Sequence, residues 1–514
     1  MKTLTISGTQ LKIDDVVAVA QQRVHVALDP VCLPKMKQSR AAVERFVAEG
    51  RVVYGITTGF GRFKDKVISA DEVKQLQVNL VRSHACGVGD NLPDEVVRAM
   101  MLVRANTLAI GHSGARPLIV NLLIDMLNHG IHPRIPEQGS LGASGDLVPL
   151  AHMTLVLIGE GEVWRDGDWI DGKTALASVG LSPITLEAKE GLALLNGTTF
   201  MVGMGALGVR RAINLTLTSD IAAAMSLEAL YGTDRAYDAR VHAVRPHPRQ
   251  IECAAFLRQT LAGSELLRDR TSTNVQDPYT LRCVPQVHGA VRDAIAYGQW
   301  VIAIELNAVN DNPIIFVDEE TGEADVISAG NFHGEPIALA MDYMALAITD
   351  LGNMSERRVA RLVDADVNGG VLPMFLTEHG GLESGFMIAQ YTAAALASEN
   401  KILAHPASSD SITSSANVED HVSMGATAVR HAAKIVHHTE TIVAIELLSA
   451  AQGIDFRRKK GEKMGVGTAV AYDLIRQHVP FLQEDTYLAP HIEAVRQLVA
   501  DGTIKEAVEM ALGD

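Results

Sequence analysis

The sequence predicts a mainly α protein, an elongated central bundle of long helices joined to a smaller mixed N-terminal domain. Three observations predict this class. The composition is 47% hydrophobic but only 4% aromatic, and much of the apolar content is Ala, Leu, Val and Met, which favours packed helices over sheets. From about Thr199 onward, long Ala- and Met-rich stretches are joined by short connections. At 514 residues the chain is too long for one ordinary core, so it must form more than one lobe or one very elongated unit. The change in character places the domain boundary between 198 and 199, giving domains 1–198 and 199–514.

Taken in order, Thr3 to Ile6 alternates like a short strand, and Ile13 to Gln22 and Ala41 to Ala48 carry apolar residues at helical spacing. The stretch Val53 to Gly61 contains Gly55, Gly59 and Gly61 and reads as a loop. Ser69-Ala70-Asp71-Glu72 is a capping box, opening a helix that ends near Ser83-His84. Helices follow at Asp94 to Ala109, Pro117 to Leu127 and Leu147 to Ile158, the last tolerating Pro149 in its first turn. Val163 to Ile170 reads as a hairpin across Asp166-Gly167. Long helices from Gln286 to Leu306, Pro336 to Val363 and Gly385 to Ala404 supply the bundle, and His405-Pro406 stops the third.

A formal net charge of -16 argues against a general nucleic-acid or anionic-membrane surface. The short basic run Arg457-Arg458-Lys459-Lys460 reads as a solvated helix end. Cys32, Cys86, Cys253 and Cys283 show no CxxC spacing and are too sparse for a disulfide framework, which points to a reducing, cytoplasmic setting. No signal-length apolar segment follows Met1-Lys2-Thr3-Leu4. The most apolar helix, around Ile337 to Ile348, contains Asp342 and is too short to span a membrane.

The chemistry centres on Gly139-Ser140-Leu141-Gly142-Ala143-Ser144-Gly145-Asp146-Leu147. Taken alone, such a run suits a tight turn entering a helix capped by Asp146. It can also build an electrophile from its own backbone. The amide nitrogen of Gly145 can attack the carbonyl carbon of Ala143, because neither residue has a side chain large enough to block the approach. Loss of one water closes the ring, and loss of a second from Ser144 leaves a methylene conjugated to an imidazolone.

Continued through Val148-Pro149-Leu150-Ala151-His152, the run resembles the signature of the aromatic amino acid ammonia-lyases that carry a methylidene-imidazolone (MIO) group. The resemblance extends through nearly the whole chain and implies the ammonia-lyase/fumarase-like architecture. It assigns MIO formation to Ala143, Ser144 and Gly145, and the base to Tyr54 in the glycine-rich loop. Asn196, in Glu190 to Thr198, would contact the MIO carbonyl or the substrate amine. Arg282 would grip the substrate carboxylate, with Tyr279 and Gln276 as neighbouring polar contacts, and Phe332 would pack against the MIO. His84, preceded by Ser83, and Glu419, in Glu419-Asp420-His421, match the positions that face the substrate ring in the histidine-acting members. A carboxylate there suits the N–H donor of imidazole. Each of these residues also has an ordinary alternative: His84 as a helix-end cap, Asn196 as a turn residue, Arg282 as an ion-pair partner, Phe332 as core and Glu419 as an N-cap. Thr57, Thr199 and Val418 depart from the family pattern beside presumed pocket positions.

The resemblance implies conversion of L-histidine to trans-urocanate and ammonia, with either the amine or the ring of the substrate adding to the electrophile. The MIO comes from the chain, so no external cofactor and no metal is implied. No HExxH zinc-ligand spacing occurs. The family builds each pocket from several subunits, so a homotetramer with shared sites is expected. The alternatives are the same chemistry, or an aminomutase, acting on tyrosine or phenylalanine, and a non-catalytic helical relative with an uncyclised Ala-Ser-Gly.

Overall fold

The computed structural model describes residues 3–69, 72–165, 167–269, 275–459 and 461–513. The chain is mainly helical, and the expected long helices are present as Thr199–Ala229, Val284–Glu305, Glu335–Val363 and Met387–Leu403, followed by Gly425–Arg457. Two compact units are formed. One comprises Met1–Arg210, Gly298–Asp342 and Pro406–Arg430, the other Arg211–Tyr297, Tyr343–His405 and His431–Asp514. The Thr199–Ala229 helix starts where the composition changes, but the first unit runs past that point and takes in two later segments.

The first unit is the mixed one. Among the described residues it contains four two-stranded sheets, including the expected strand Thr3–Ile6, which pairs in parallel with His25–Leu28. The hairpin also forms, with Trp164 opposite Trp169; Asp166 at its turn lies outside the described residues. At the centre, Asp94–Ala109 is buried at every position from Val96 onward, as befits a helix surrounded by protein, and Pro117–Asn128 packs against it. The helix expected over 41–48 starts at Leu33, because its first half buries Met36, Ser39 and Arg40 rather than a run of apolar residues. The capping box does not operate as the sequence implies. The helix begins at Val73 with no side-chain cap, and the Ser69 hydroxyl donates to the Glu72 carboxylate at 2.6 Å; Ala70 and Asp71 lie outside the described residues.

The second unit is built on helices, with buried ion pairs between them. Arg358 and Glu446 are both fully buried, and the guanidinium grips the carboxylate through Nε at 2.5 Å and Nη2 at 2.9 Å. Ser226 and Ser355 also donate to Glu446, so the charge is fully solvated by protein. Arg457 corrects the solvated-end expectation: its guanidinium turns inward, onto the carbonyls of Glu228 and Leu266. Lys460 lies outside the described residues. Among the described residues no helix is long and apolar enough to cross a membrane.

One buried pair in the first unit bears directly on the site. Lys189 precedes the Glu190–Leu195 helix with φ 73, and its ammonium meets the Asp311 carboxylate at 2.6 Å, both side chains fully buried. Ser113 donates to the other Asp311 oxygen at 2.9 Å. Removing one partner strands the other charge, so Lys189→Met should cost about 3–5 kcal/mol of stability. Denaturant unfolding measures this, and a loss below about 1 kcal/mol would show that the pair is not ionised.

Candidate active site

Backbone contacts, more than side chains, fasten the loop from Gly139 to Leu147. The Gly145 and Gly197 backbones run side by side, with Asp146 N donating to Gly197 O at 2.7 Å and Met424 N donating to Leu141 O at 2.9 Å. Ser423 Oγ donates to Gly142 O at 3.1 Å. Gly145 has φ +75, and a Cβ there would stand 2.2 Å from the Gly197 carbonyl oxygen, so no other residue fits. Asp146 precedes the Leu147–Leu157 helix but does not cap it with its side chain. It is fully buried, and its Oδ2 accepts from Met201 N at 3.0 Å, tying the loop to the start of the next long helix. Burial pushes this carboxyl up to about 7.

Over this loop lies a cavity of about 1070 Å³, whose lining includes Tyr54, His84, Ser144, Asn196, Phe332 and Glu419, together with Ala143. Glu419 accepts from Ser144 Oγ at 2.8 Å through Oε1 and from Ser414 Oγ at 2.8 Å through Oε2. Asn196 Nδ2 donates to the Ser144 carbonyl at 2.8 Å, while its Oδ1 is buried without a partner. The Tyr54 hydroxyl receives the Gly61 N–H at 3.4 Å. Burial raises the Tyr54 pKa above the ordinary phenol value, opposed in part by the hydrogen bond from the Gly61 amide, and the charge of Glu419 adds a smaller upward push. Burial also lowers His84, opposed by the Leu80 carbonyl and Glu419, so its imidazole is neutral at pH 7. Ser83 Oγ lies 3.0 Å from His84 Nδ1.

Gln276, Tyr279 and Arg282 are not among the residues lining this cavity. They belong to the second unit, where Gln276 and Tyr279 are exposed and the Arg282 guanidinium lies 4.6 Å from the centre of the Tyr279 ring. Arg282 Nε is buried without a hydrogen-bond partner.

Two of the three departures from the family pattern face away from the cavity. Thr57 donates to Arg51 O at 2.6 Å and accepts from Val53 N at 2.9 Å, and Thr199 accepts from Arg104 at 3.3 Å. Val418 does line the cavity.

Sequence reasoning missed Arg104. Fully buried, it donates to the carbonyls of Ala193 and Asn196 and to Asn310 Oδ1, fixing the segment that presents Asn196. A guanidinium following the apolar run Ala99 to Val103, in a helix that also carries Arg98, was the available signal. His333, beside Phe332, and His421, in the Glu419-Asp420-His421 segment, carry no expected role from sequence. They stack with ring centres 5.7 Å apart and line the cavity, and with Glu335 they bring three metal-type donors within 4.8 Å of one another. Both His333 nitrogens are already engaged, Nδ1 accepting from Glu335 N at 3.3 Å and Nε2 facing His421 O at 3.2 Å. They clasp the Phe332 segment to the Glu419 segment.

A mainly helical fold with a cyclisable Ala-Ser-Gly loop under a pocket containing Tyr, Asn and Glu defines a class of lyase. The aromatic amino acid lyase family model matches residues 11–477, and the chain belongs to that family. Within it, the chain is 57% identical to the histidine ammonia-lyase of Chloroflexus aurantiacus, over 99% of this chain and 98% of that protein. Among solved structures, histidine ammonia-lyase from Trypanosoma cruzi is similar with a TM-score of 0.91 and 39% identity, covering 99% of this chain and 96% of the other. Tyrosine aminomutase from Streptomyces globisporus gives a TM-score of 0.93 and 37% identity, covering 99% and 98%.

Proposed function

We propose that this chain eliminates ammonia from L-histidine to give trans-urocanate, using an MIO group formed from Ala143, Ser144 and Gly145. The observation that carries the proposal is the Glu419 carboxylate, 2.8 Å from Ser144 Oγ in a cavity shared with His84 and Tyr54. A ring with an N–H donor finds an acceptor beside the reacting segment, whereas benzene, which has no donor, would leave a carboxylate poorly solvated there.

The residues present fit an MIO group. Gly145 takes the left-handed conformation that only glycine accepts without strain, Asn196 Nδ2 already donates to the carbonyl that would become part of the ring, and Asn196 Oδ1 is left open for an incoming N–H. The group, once formed, supplies an electrophilic carbon, a property no ordinary side chain has. Tyr54 takes the β-proton of the substrate, and His84 and Glu419 hold the imidazole in register. Phe332 gives the cavity an apolar wall, which limits water and strengthens the polar contacts inside.

Arg282 holds the substrate carboxylate through its two-donor fork, with Gln276 and Tyr279 beside it. We assign these three to the pocket of a neighbouring subunit in a homotetramer. In support, Arg282 keeps a buried, unused Nε, and the Glu335–Val363 helix exposes Leu339, Tyr343 and Leu346 at 50%, 48% and 53%, an i, i+4, i+7 stripe that association would cover. The free thiols, two of them buried, and the net charge fit a cytoplasmic enzyme with no nucleic-acid or membrane partner.

Incubation with L-histidine, L-tyrosine and L-phenylalanine tests the assignment. Urocanate absorbance should appear from L-histidine alone, with coumarate and cinnamate absent. Formation of coumarate, cinnamate or a β-amino acid as the main product would overturn it in favour of an aromatic lyase or an aminomutase.

A further inference from the structure

We propose that Ser414 is a positioning residue that sets the direction of the Glu419 carboxylate and thereby the preference for an imidazole ring. The inference rests on the assignment of Glu419 as the acceptor for that ring.

The two oxygens of Glu419 have different partners. Oε2 accepts from Ser414 Oγ at 2.8 Å, and Oε1 accepts from Ser144 Oγ at 2.8 Å, on the side where substrate must react. A hydrogen bond to Oε2 therefore leaves Oε1 pointing at the reacting segment. Without it, the long glutamate side chain regains rotamers that carry Oε1 elsewhere, and misplacement by about 1 Å is enough to cost up to ~100-fold in rate.

The backbone shows that this tether is built in. Ser414 and Glu419 pair reciprocally, with N–H to O distances of 2.9 and 3.3 Å. Between them Ser415, Ala416 and Asn417 have φ of 50, 51 and 66, a left-handed run with no glycine in it. L-residues adopt such a run only where surrounding contacts impose it. One such contact comes from the loop that carries the base. A Cβ at Gly61 would lie 2.7 Å from Ser415 Oγ, and Gly61 N–H donates to the Tyr54 hydroxyl. The turn thus supports Glu419 on one side and abuts the Tyr54 loop on the other.

The experiment compares Ser414→Ala, Ser414→Thr, Glu419→Ala and the double variant Ser414→Ala/Glu419→Ala, using inhibition by urocanate, which has the ring N–H, and by cinnamate, which lacks it. Ser414→Ala should weaken urocanate inhibition about tenfold, the worth of one hydrogen bond to a charged acceptor, and leave cinnamate inhibition within about twofold. Ser414→Thr, which keeps the hydroxyl, should restore urocanate inhibition. In the Glu419→Ala background, Ser414→Ala should have no further effect, because the residue acts through Glu419. Equal weakening of both inhibitors, or an undiminished effect without Glu419, would overturn the role of Ser414. If Glu419→Ala shifts the urocanate-to-cinnamate ratio and Ser414→Ala does not, only the role of Ser414 falls. If Glu419→Ala leaves the ratio unchanged, the assignment of Glu419 falls as well.

Discussion

Ser144→Ala yields a folded protein that no longer turns over L-histidine. The substitution removes the one hydroxyl whose loss can create the exocyclic methylene, so no electrophile forms whatever the rest of the site does. The loss should be at least ~10³-fold, about 4 kcal/mol at the transition state, comparable to deleting a principal preorganised group. Stability should change little, because Ser144 Oγ makes one hydrogen bond, to Glu419, and the loop is fastened by the backbone contacts of Leu141, Gly142 and Asp146. Steady-state kinetics paired with a thermal melt separates the two effects. Activity within about tenfold of the unsubstituted enzyme would contradict the proposed electrophile.

Tyr54→Phe is the second large effect, and its pH profile carries the diagnosis. Replacing a general base typically costs about 10²–10⁴-fold, and Phe keeps the ring while removing the oxygen. An unshifted phenol, with a pKa of about 10, is only about 0.1% ionised at pH 7. Burial and the Glu419 charge raise Tyr54 further within the chain, so the anion becomes scarcer still. The sign follows directly: a base that must be deprotonated gains population as pH rises. The value of kcat/KM should therefore climb about tenfold per pH unit from pH 7 to 9, and this alkaline rise should disappear in Tyr54→Phe. A cation such as Arg282 of a neighbouring subunit would move the break point down without changing the direction. A flat profile, or a Phe variant within about threefold of the unsubstituted enzyme, would remove Tyr54 from the role of base.

How far the sequence revealed this site depended on the kind of information each residue needed. The long helices were legible because their period is local, and Thr199–Ala229 begins where the composition shifts. The strand Val88–Asn91 is exposed at every position, so no alternation marked it. The start of Leu33–Ala48 was hidden because Arg40 and Ser39 are buried in the helix's first half, and burial of polar groups depends on partners elsewhere in the chain. Among site residues, Tyr54, His84, Asn196, Phe332 and Glu419 were legible only through the family pattern, and one cavity gathers them. Their adjacency was not legible, since the Ser144–Glu419 contact joins residues 275 positions apart. Ser414 and Arg104 act through other residues, on a carboxylate and on a backbone segment, and neither carries a motif of its own.

The mass of the proteolytic peptide containing Ala143-Ser144-Gly145, taken from fully active protein, tests the central claim most directly. A peptide lighter by two water molecules than its sequence mass is the predicted result. The full unmodified mass in material that turns over L-histidine at its normal rate would contradict it.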